Sequence, residues 1–311
     1  MIRPLTPHPL QKGDTLGVIA PAGRLYDEDR FILGIKVLRE MGFIVKFPRN
    51  LWPGSTYLAD NDKNRGQELN DLLRDSEVKA LIAVRGGYGC LRMLEGVDVD
   101  LVRHNPKFLI GFSDISILQN YLLAKTGLIS LHGPVVTSLG SATRESLKSF
   151  FNCLSGHWQR PLGSTKLEIM RGGAARSSAV MVGGNLASLI TLLGTPFDSS
   201  WDHKIVFLED TNEAEYKLDR MLTQLKLAGK LDNLAGLILG DFSSAELQDD
   251  IARLRYREMV WSRVLELCKD SEFPIWGNFP AGHCPDNHTF PLGAKATMEG
   301  ATGQLTFDTV F

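Results

Sequence analysis

The stretch that decides the fold is residues 107–118, KFLIGFSDISIL. Its first half is an apolar run that stops at Gly111, and its second half begins a repeat of apolar side chains at helical spacing. This pattern predicts a strand, a tight turn and a helix, with Ser113 on the turn. The first N–H groups of a helix have no intrahelical acceptor, so they can donate to a negatively charged oxygen formed beside the serine. Ser113 is therefore a candidate nucleophile, although a serine before Asp114 at a helix start is also compatible with a simple cap.

The chain around this stretch alternates apolar strands with amphipathic helices. Strands are predicted over residues 15–20, 43–47, 80–84, 109–112 and 128–131. Helices are predicted over residues 27–41 and 63–73, where apolar side chains recur at helical spacing. Because the strands are apolar at consecutive positions, both of their faces are expected to be covered, as in a parallel sheet. Residues 1–140 therefore predict an α/β domain.

The pattern changes after about residue 140. Residues 141–180 contain one helical segment and then a largely polar stretch with Gly, Ser and Pro, which predicts a linker or crossover between domains. Residues 181–311 resume the α/β alternation and form the second predicted domain. Its predicted elements are strands near 180–182, 205–208, 234–239 and from 275, helices over 218–225 and 250–268, and a terminal hairpin of 294–298 and 304–307.

Composition excludes several classes of function. The 34 basic and 36 acidic residues leave a net charge of −2, which gives no reason to expect a nucleic-acid partner. No window approaches the ~18–20 apolar residues of a membrane-spanning helix, and the amino terminus does not resemble a secretory signal. The four cysteines show no C-x-x-C spacing, which predicts a reducing, cytoplasmic setting. Cys284 beside His283 is a possible metal ligand, but adjacent residues are rarely paired ligands and no second cluster supports it, so we expect neither a metal nor a cofactor.

Polar and glycine-rich turns follow several of the predicted strands. They are Arg85–Gly89, Ser113–Asp114, Glu209–Asp210 and Gly282–His283. Because catalytic groups in open α/β sheets gather at the carboxyl ends of strands, we expect these residues to act together. A serine, an acid and a histidine supply a nucleophile, an orienting group and a general base.

Each of these residues also has a simpler interpretation. The glycine-rich turn after residue 84 is compatible with a flexible turn or a phosphate-binding loop. Glu209 is compatible with an acid at a helix start, and Glu213 and Glu215 lie close by in the sequence. His132 and His283 are both flanked by glycine at a strand end, so one of them is compatible with a structural role.

Seven ordered motifs together resemble the LD-carboxypeptidases, the murein tetrapeptide carboxypeptidases of a serine peptidase group that includes the microcin C self-immunity peptidases. The resemblance covers nearly the whole chain. The motifs are RGGYG from Arg85, GFSD from Gly111, HGP from His132, GGNL from Gly183, LED from Leu208, Tyr216 with DRML from Asp219, and GH from Gly282 with PLG from Pro291.

The resemblance implies a Rossmann-like amino-terminal domain, a smaller β-rich carboxyl-terminal domain and a homodimer. It also implies a serine peptidase without a metal, which releases the terminal D-alanine from the diamino acid of cytoplasmic muropeptides during cell-wall recycling. Carried over by motif, Ser113 is the nucleophile, His283 the base and Glu209 the orienting acid. The oxyanion donors would be the backbone N–H groups of Gly87 and Asp114.

An exopeptidase must also bind the terminal carboxylate of its substrate. Arg85 is the candidate, because a guanidinium group binds a carboxylate through two hydrogen bonds. An ion pair of Arg85 with Asp114 or Glu209 is the alternative. We favour Glu209 over Glu213 as the acid of the triad, because a strand end is a rigid support for an orienting group.

Other functions stay open at the level of sequence. A microcin-immunity-type peptidase would cleave an aminoacyl or peptidyl nucleotide and would need an aromatic platform, for which Trp52, Trp201 and Trp261 are available. A nucleotide- or sugar-binding module would use residues 86–89 as a phosphate-binding loop, but the usual glycine spacings are missing. A structural scaffold gives no reason for Ser, Glu and His to follow strands. The sequence does not distinguish a diaminopimelate-containing from a lysine-containing substrate.

Overall fold

The computed structural model describes residues 3–48, 51–158, 167–172, 176–247 and 249–308, and these divide into two units. Unit 1 contains the described residues up to 158 together with 285–293, and unit 2 contains those from 167 to 284 together with 294–308. The strands, in chain order, are β1 (Thr15–Ile19), β2 (Ile44–Lys46), β3 (Val78–Ala83), β4 (Phe108–Gly111), β5 (Ser130–His132), β6 (Glu168–Arg171), β7 (Arg176–Asn185), β8 (Ile205–Thr211), β9 (Gly236–Ser243), β10 (Ile275–Gly277), β11 (Phe290–Leu292), β12 (Lys295–Glu299) and β13 (Gln304–Phe307). The helices are α1 (Glu28–Glu40), α2 (Asp62–Arg74), α3 (Cys90–Met93), α4 (Val99–His104), α5 (Ile115–Thr126), α6 (Val136–Leu139), α7 (Arg144–Leu154), α8 (Leu186–Leu189), α9 (Glu215–Leu227) and α10 (Asp250–Leu267).

The sheet of unit 1 has the strand order β11-β5-β4-β3-β1-β2. Strands β1 to β5 run parallel to one another, as the continuous apolar runs predicted. Every residue of β4 is buried, which is what a central strand covered on both faces requires. Since β1, β3 and β4 are neighbours in this sheet, their carboxyl ends meet at one edge and bring together the loops that begin at residues 20, 84 and 112.

The sheet of unit 2 has the order β13-β12-β7-β8-β9-β10-β6. Its central strands β7 to β10 are parallel, and β6, β12 and β13 pair in the antiparallel direction. The predicted terminal hairpin is confirmed, because β12 and β13 are antiparallel neighbours. The chain thus has the expected α/β fold, with a parallel amino-terminal sheet and a β-rich carboxyl-terminal sheet.

The units differ from the sequence-based bounds of 1–140, 141–180 and 181–311 at two places. Helix α7, within the predicted linker, belongs to unit 1 because it packs on β11. Strand β11 itself lies far along the chain but pairs with β5, with Phe290 opposite His132. Within the predicted linker, residues 159–166 and 173–175 lie outside the described residues.

The ends of the helices that follow the strands have local causes. Asp27 caps α1 by accepting a hydrogen bond from the N–H of Arg30, and α5 ends at Gly127, which has the left-handed φ of +79°. Nine of the twelve residues of α5 are buried, including all of the first eight, so the part of the helix that starts beside Ser113 is held by packing. No helix in the described part of the chain is long and apolar enough to cross a bilayer.

Candidate active site

Ser113 lies on the predicted turn between β4 and α5, in an unusual backbone conformation. Its φ is +64°, in the left-handed region that residues with a side chain rarely adopt. Its carbonyl accepts a hydrogen bond from the N–H of Ser116 at 2.9 Å, which closes the first turn of the helix. Strain of this kind persists only where the surrounding structure imposes it, and it concentrates at functional sites.

The glycine-rich loop after β3 approaches Ser113 with its backbone. A Cβ atom placed on Gly86 would lie 2.7 Å from the Ser113 Cβ and 2.8 Å from its Oγ. Gly87, with a φ of +118°, lies close to Gly23 of the loop after β1, and a Cβ on it would lie 3.2 Å from the Gly23 Cα. Side chains at residues 86 and 87 would therefore push these loops apart.

The two predicted oxyanion donors, the N–H groups of Gly87 and Asp114, donate to no protein acceptor among the described residues. The Asp114 side chain is buried and accepts a hydrogen bond from the N–H of Cys90 at 2.8 Å. Burial raises the pKa of this carboxyl, and the hydrogen bonds from Cys90 oppose the shift. Asp114 thus joins the start of α5 to the loop that carries Gly87.

Arg85 is held by backbone carbonyl groups. Its Nε donates to the carbonyl of Gly86 at 3.2 Å, and its Nη1 donates to the carbonyl of Arg24 at 3.1 Å. Its guanidinium carbon also lies 5.5 Å from the centre of the Tyr26 ring. Within the described residues of unit 1, Arg85 forms no ion pair, so the alternative of a pair with Asp114 is not realised.

In unit 2, His283 and Glu209 form a hydrogen bond. The Glu209 side chain is fully buried at the end of β8, and its Oε2 lies 2.7 Å from the His283 Nδ1. A Cβ atom on Gly282 would lie 2.9 Å from the same Oε2, so only glycine allows this close approach. Glu213, the other candidate acid, is instead partly exposed and pairs with Lys217 at 3.4 Å.

Three carboxyl groups set the electrostatic environment of His283. Burial lowers the pKa of the imidazole, but the charge of Glu209 and its hydrogen bond, with smaller contributions from Asp210 and Asp241, raise that pKa above the usual 6.5. Asp210 is itself buried, and burial together with the charge of Glu209 raises its pKa to about 7. Because a carboxylate only accepts hydrogen bonds, the bond to Glu209 places a proton on Nδ1 and the basic lone pair on Nε2.

His132, the other glycine-flanked histidine, has a different environment. It is fully buried in β5, and its ring stacks on Phe290 with the ring centres 4.8 Å apart. The hydrogen bond with Glu209 described above belongs to His283. No cluster of three or more His, Cys, Asp or Glu side chains in the described ranges is arranged to hold a metal ion.

Sequence reasoning missed four residues near these groups, namely Arg24, Tyr26, Asp210 and Asp241. Arg24 and Tyr26 follow β1, and Asp241 lies near the end of β9, so their positions after strands were a usable signal. The sequence distinguishes Asp210 only as the neighbour of Glu209. Its side chain accepts hydrogen bonds from the N–H groups of Ala187 and Thr211, each at 2.7 Å, and so ties β8 to the start of α8.

Comparisons with known proteins agree over almost the whole chain. The sequence profile of the LD-carboxypeptidase N-terminal domain matches residues 16–133, and that of the C-terminal domain matches residues 178–298. A probable murein peptide carboxypeptidase of Bacillus subtilis is 36% identical, over 95% of this chain and 92% of that protein. The murein tetrapeptide carboxypeptidase of Pseudomonas aeruginosa is 31% identical, over 92% of this chain and 93% of that protein.

The microcin immunity branch is also represented. The microcin C7 self-immunity protein MccF of Escherichia coli is 27% identical, over 95% of this chain and 93% of that protein. The crystal structure of an MccF-like protein from Bacillus anthracis aligns with a TM-score of 0.87 and 27% identity, covering 98% of this chain and 100% of that one.

Proposed function

The chain belongs to the LD-carboxypeptidase family of serine peptidases, and from that premise we propose that it hydrolyses the bond between an L-diamino acid and the terminal D-alanine of murein tetrapeptides. The observation that carries the proposal is the hydrogen bond of 2.7 Å between the buried Glu209 and His283. A histidine held by a buried carboxylate is the base that a serine hydroxyl needs in order to become a nucleophile. The left-handed turn at Ser113 supports that residue as the nucleophile.

In the proposed mechanism, Nε2 of neutral His283 takes the proton of the Ser113 hydroxyl as its oxygen attacks the scissile carbonyl. Glu209 holds the imidazole in the required tautomer and stabilises the imidazolium that forms. The N–H groups of Gly87 and Asp114 stabilise the oxyanion, and the loss of one such donor typically costs about 3–4 kcal/mol of transition-state stabilisation. His283 then protonates the departing amine of D-alanine, and water hydrolyses the acyl-enzyme.

Similarity supports the murein peptide as substrate. Two of the relatives above 30% identity are named for murein peptides, whereas the microcin immunity relative is 27% identical. The terminal carboxylate of such a peptide requires a cation beside the nucleophile, and Arg85 adjoins Gly86, the residue packed against Ser113. The cytoplasmic location and the homodimeric state implied by the family stay predictions.

The substitution Ser113→Ala tests the nucleophile. We expect the purified variant to fold and to release no measurable D-alanine from L-alanyl-γ-D-glutamyl-L-lysyl-D-alanine, because alanine has no hydroxyl group to form the acyl-enzyme. Ser141→Ala is the matched control, since Ser141 is an exposed serine that donates only to the carbonyl of Ser138. Release of D-alanine by Ser113→Ala at the wild-type rate would show that another group attacks the substrate.

A microcin-immunity-type activity is the second candidate, and the similarity to the E. coli self-immunity protein is the observation that favours it. Such an enzyme would cleave an aminoacyl or peptidyl nucleotide with the same nucleophile. Turnover of the tetrapeptide and of an aminoacyl sulfamoyl nucleotide by the same preparation separates the two. Cleavage of the nucleotide alone would reassign the substrate while leaving the roles of Ser113, Glu209 and His283 in place.

A further inference from the structure

Arg24 and Arg85 lie beside the same tyrosine ring. Tyr26 is 64% exposed, and the guanidinium carbons of Arg24 and Arg85 lie 5.8 Å and 5.5 Å from the centre of its ring. A guanidinium group is attracted to the face of an aromatic ring at this range. Tyr26 therefore restricts the orientations of both cations.

The two arginines differ in how many of their side-chain N–H donors are already used in hydrogen bonds within the protein. Arg85 uses Nε and Nη1 on the carbonyls of Gly86 and Arg24. The side-chain nitrogens of Arg24 donate to no acceptor among the described residues, although its backbone N–H donates to the carbonyl of Tyr57 at 2.9 Å. The stem of Arg24 runs close over Gly54, where a Cβ would lie 2.6 Å from its Cδ. The backbone and the aliphatic part of Arg24 are thus held in place, while all of its guanidinium N–H donors are available to a ligand.

No carboxylate within the described residues of unit 1 pairs with either arginine. Two of the acids in the neighbouring segments have other partners. Asp27 pairs with Arg30 at 3.3 Å, and Asp62 pairs with Arg92 at 2.9 Å. The two positive charges beside one ring repel each other, whereas an anion bound between them would be attracted to both. The arrangement therefore suits an anionic ligand.

Gly86 connects the arginines to the turn at Ser113. The carbonyl of Gly86 accepts hydrogen bonds from Arg85 Nε and from the N–H of Gly23, and the Cα position of Gly86 is packed against the Ser113 side chain. In the substrate of a carboxypeptidase, the terminal carboxylate is separated from the scissile carbonyl by one amino acid. A cation that binds it must therefore lie near the nucleophile; Arg85 adjoins Gly86, and the Arg24 guanidinium lies over the same Tyr26 ring as that of Arg85.

We infer that Arg24 and Arg85 together form the receptor for the terminal carboxylate of the substrate, with Tyr26 as the residue that positions both guanidinium groups. This inference rests on the proposed function. Arg24 supplies the two parallel donors of a bidentate contact, and Arg85, whose donors are partly used, supplies charge and one further hydrogen bond. Tyr26 contacts the arginines and not the substrate.

The test compares the tetrapeptide L-alanyl-γ-D-glutamyl-L-lysyl-D-alanine with its carboxyl-terminal amide. We expect Arg24→Gln to lower kcat/KM for the free acid by about ten- to a hundred-fold, the effect of losing hydrogen bonds to a charged group. The value for the amide should change by less than about threefold, because a neutral amide offers no charge to the receptor. Tyr26→Leu should reduce the preference for the acid in the same way, and Tyr26→Phe, which keeps the ring, should restore it.

Arg92→Gln is the matched control. Arg92 lies in the same unit and is also partly exposed, but its charge is already paired with Asp62, so the ratio of acid to amide should stay at the wild-type value. Equal losses on acid and amide in Arg24→Gln, or an unchanged ratio in both Arg24→Gln and Tyr26→Leu, would overturn the inference.

A binding measurement separates this inference from the proposed function. In the Ser113→Ala background, calorimetry should show tighter binding of the free acid than of the amide, and the addition of Arg24→Gln should remove that difference. If the wild-type protein released neither D-alanine from the acid nor D-alaninamide from the amide, the proposed function would fail, while this difference in Kd would still support the receptor. If the protein turned over the acid and the Kd values of acid and amide were equal, the receptor would fail alone.

Discussion

At the scale of a single residue, the acids around His283 determine the direction in which the pKa of its imidazole shifts. Glu209 is the nearest, and Asp210 and Asp241 add weaker interactions, so that the pKa of His283 is raised above 6.5 although burial opposes the shift. A general base must be neutral to accept a proton. Activity should therefore be complete at high pH and should fall as the pH decreases through a value above 6.5.

Asp241→Asn tests this electrostatic account. The substitution removes one negative charge that favours the imidazolium, so the midpoint of the acid limb of kcat/KM should move to lower pH by a few tenths of a unit to about one unit. Asp250→Asn is the control, because Asp250 has a 95% exposed side chain on α10 of the same unit. The same midpoint in the wild type and in Asp241→Asn, measured at constant ionic strength, would show that Asp241 does not act on His283.

The sequence predicts the position of a single residue where the pattern that indicates it lies in adjacent residues. The turn at Ser113 was predicted because an apolar run, a glycine and a helical repeat are adjacent in the chain, and the observed β4 and α5 bracket it. Its left-handed φ has no such signal, and neither has the close packing of its side chain on Gly86, which lies on another loop. The proximity of Asp241 to His283 arises from the pairing of strands, which no short motif encodes.

At the scale of elements, the loop after β3 and the turn after β4 form one arrangement that depends on Gly86. We expect Gly86→Ala to remain folded with a lower melting temperature and to lower kcat on the order of 100-fold, because a Cβ there would displace the Ser113 side chain by a fraction of an ångström to an ångström. Gly96→Ala is the control, since a Cβ at Gly96 would meet no atom within 4 Å. Equal kcat in the two variants would show that the loop does not position the serine.

The predicted elements agree with the observed ones where a strand or helix is apolar throughout, and they differ where polar residues continue it. Strand β8 was expected to end at Leu208, but it extends to Thr211 because its backbone keeps pairing with β9 after a register shift between Leu208 and Asp210. Glu209 is consequently held inside a strand, which explains its complete burial. Strand β11 has only three residues, and the middle one is Pro291, so its sequence gives no periodic signal that would predict a strand.

At the scale of the whole molecule, the chain does not complete unit 1 before it enters unit 2. Residues 285–293 return to unit 1, where β11 forms the edge of the sheet and Phe290 is fully buried. Side chains of α7 bind the same segment, because the Ser146 hydroxyl donates to the carbonyl of Asn287 at 2.7 Å and the N–H of Thr289 donates to Ser149 at 3.0 Å. The amino-terminal half therefore depends on nine residues that are encoded near the other end of the chain.

A fragment of residues 1–158 tests this dependence. Burial of one Phe side chain contributes about 1.5–3 kcal/mol and each hydrogen bond about 1 kcal/mol, which together are a large fraction of the ~5–15 kcal/mol that stabilises a domain. We expect the fragment alone to show no cooperative unfolding transition in a thermal melt followed by circular dichroism. The same fragment with residues 285–293 attached through a Gly/Ser linker should regain the transition, and a third fragment carrying Phe290→Ala in that segment should lose most of the gain. A cooperative transition of equal midpoint with and without the segment would mean that residues 1–158 fold independently, and that β11 only covers an edge that is already stable.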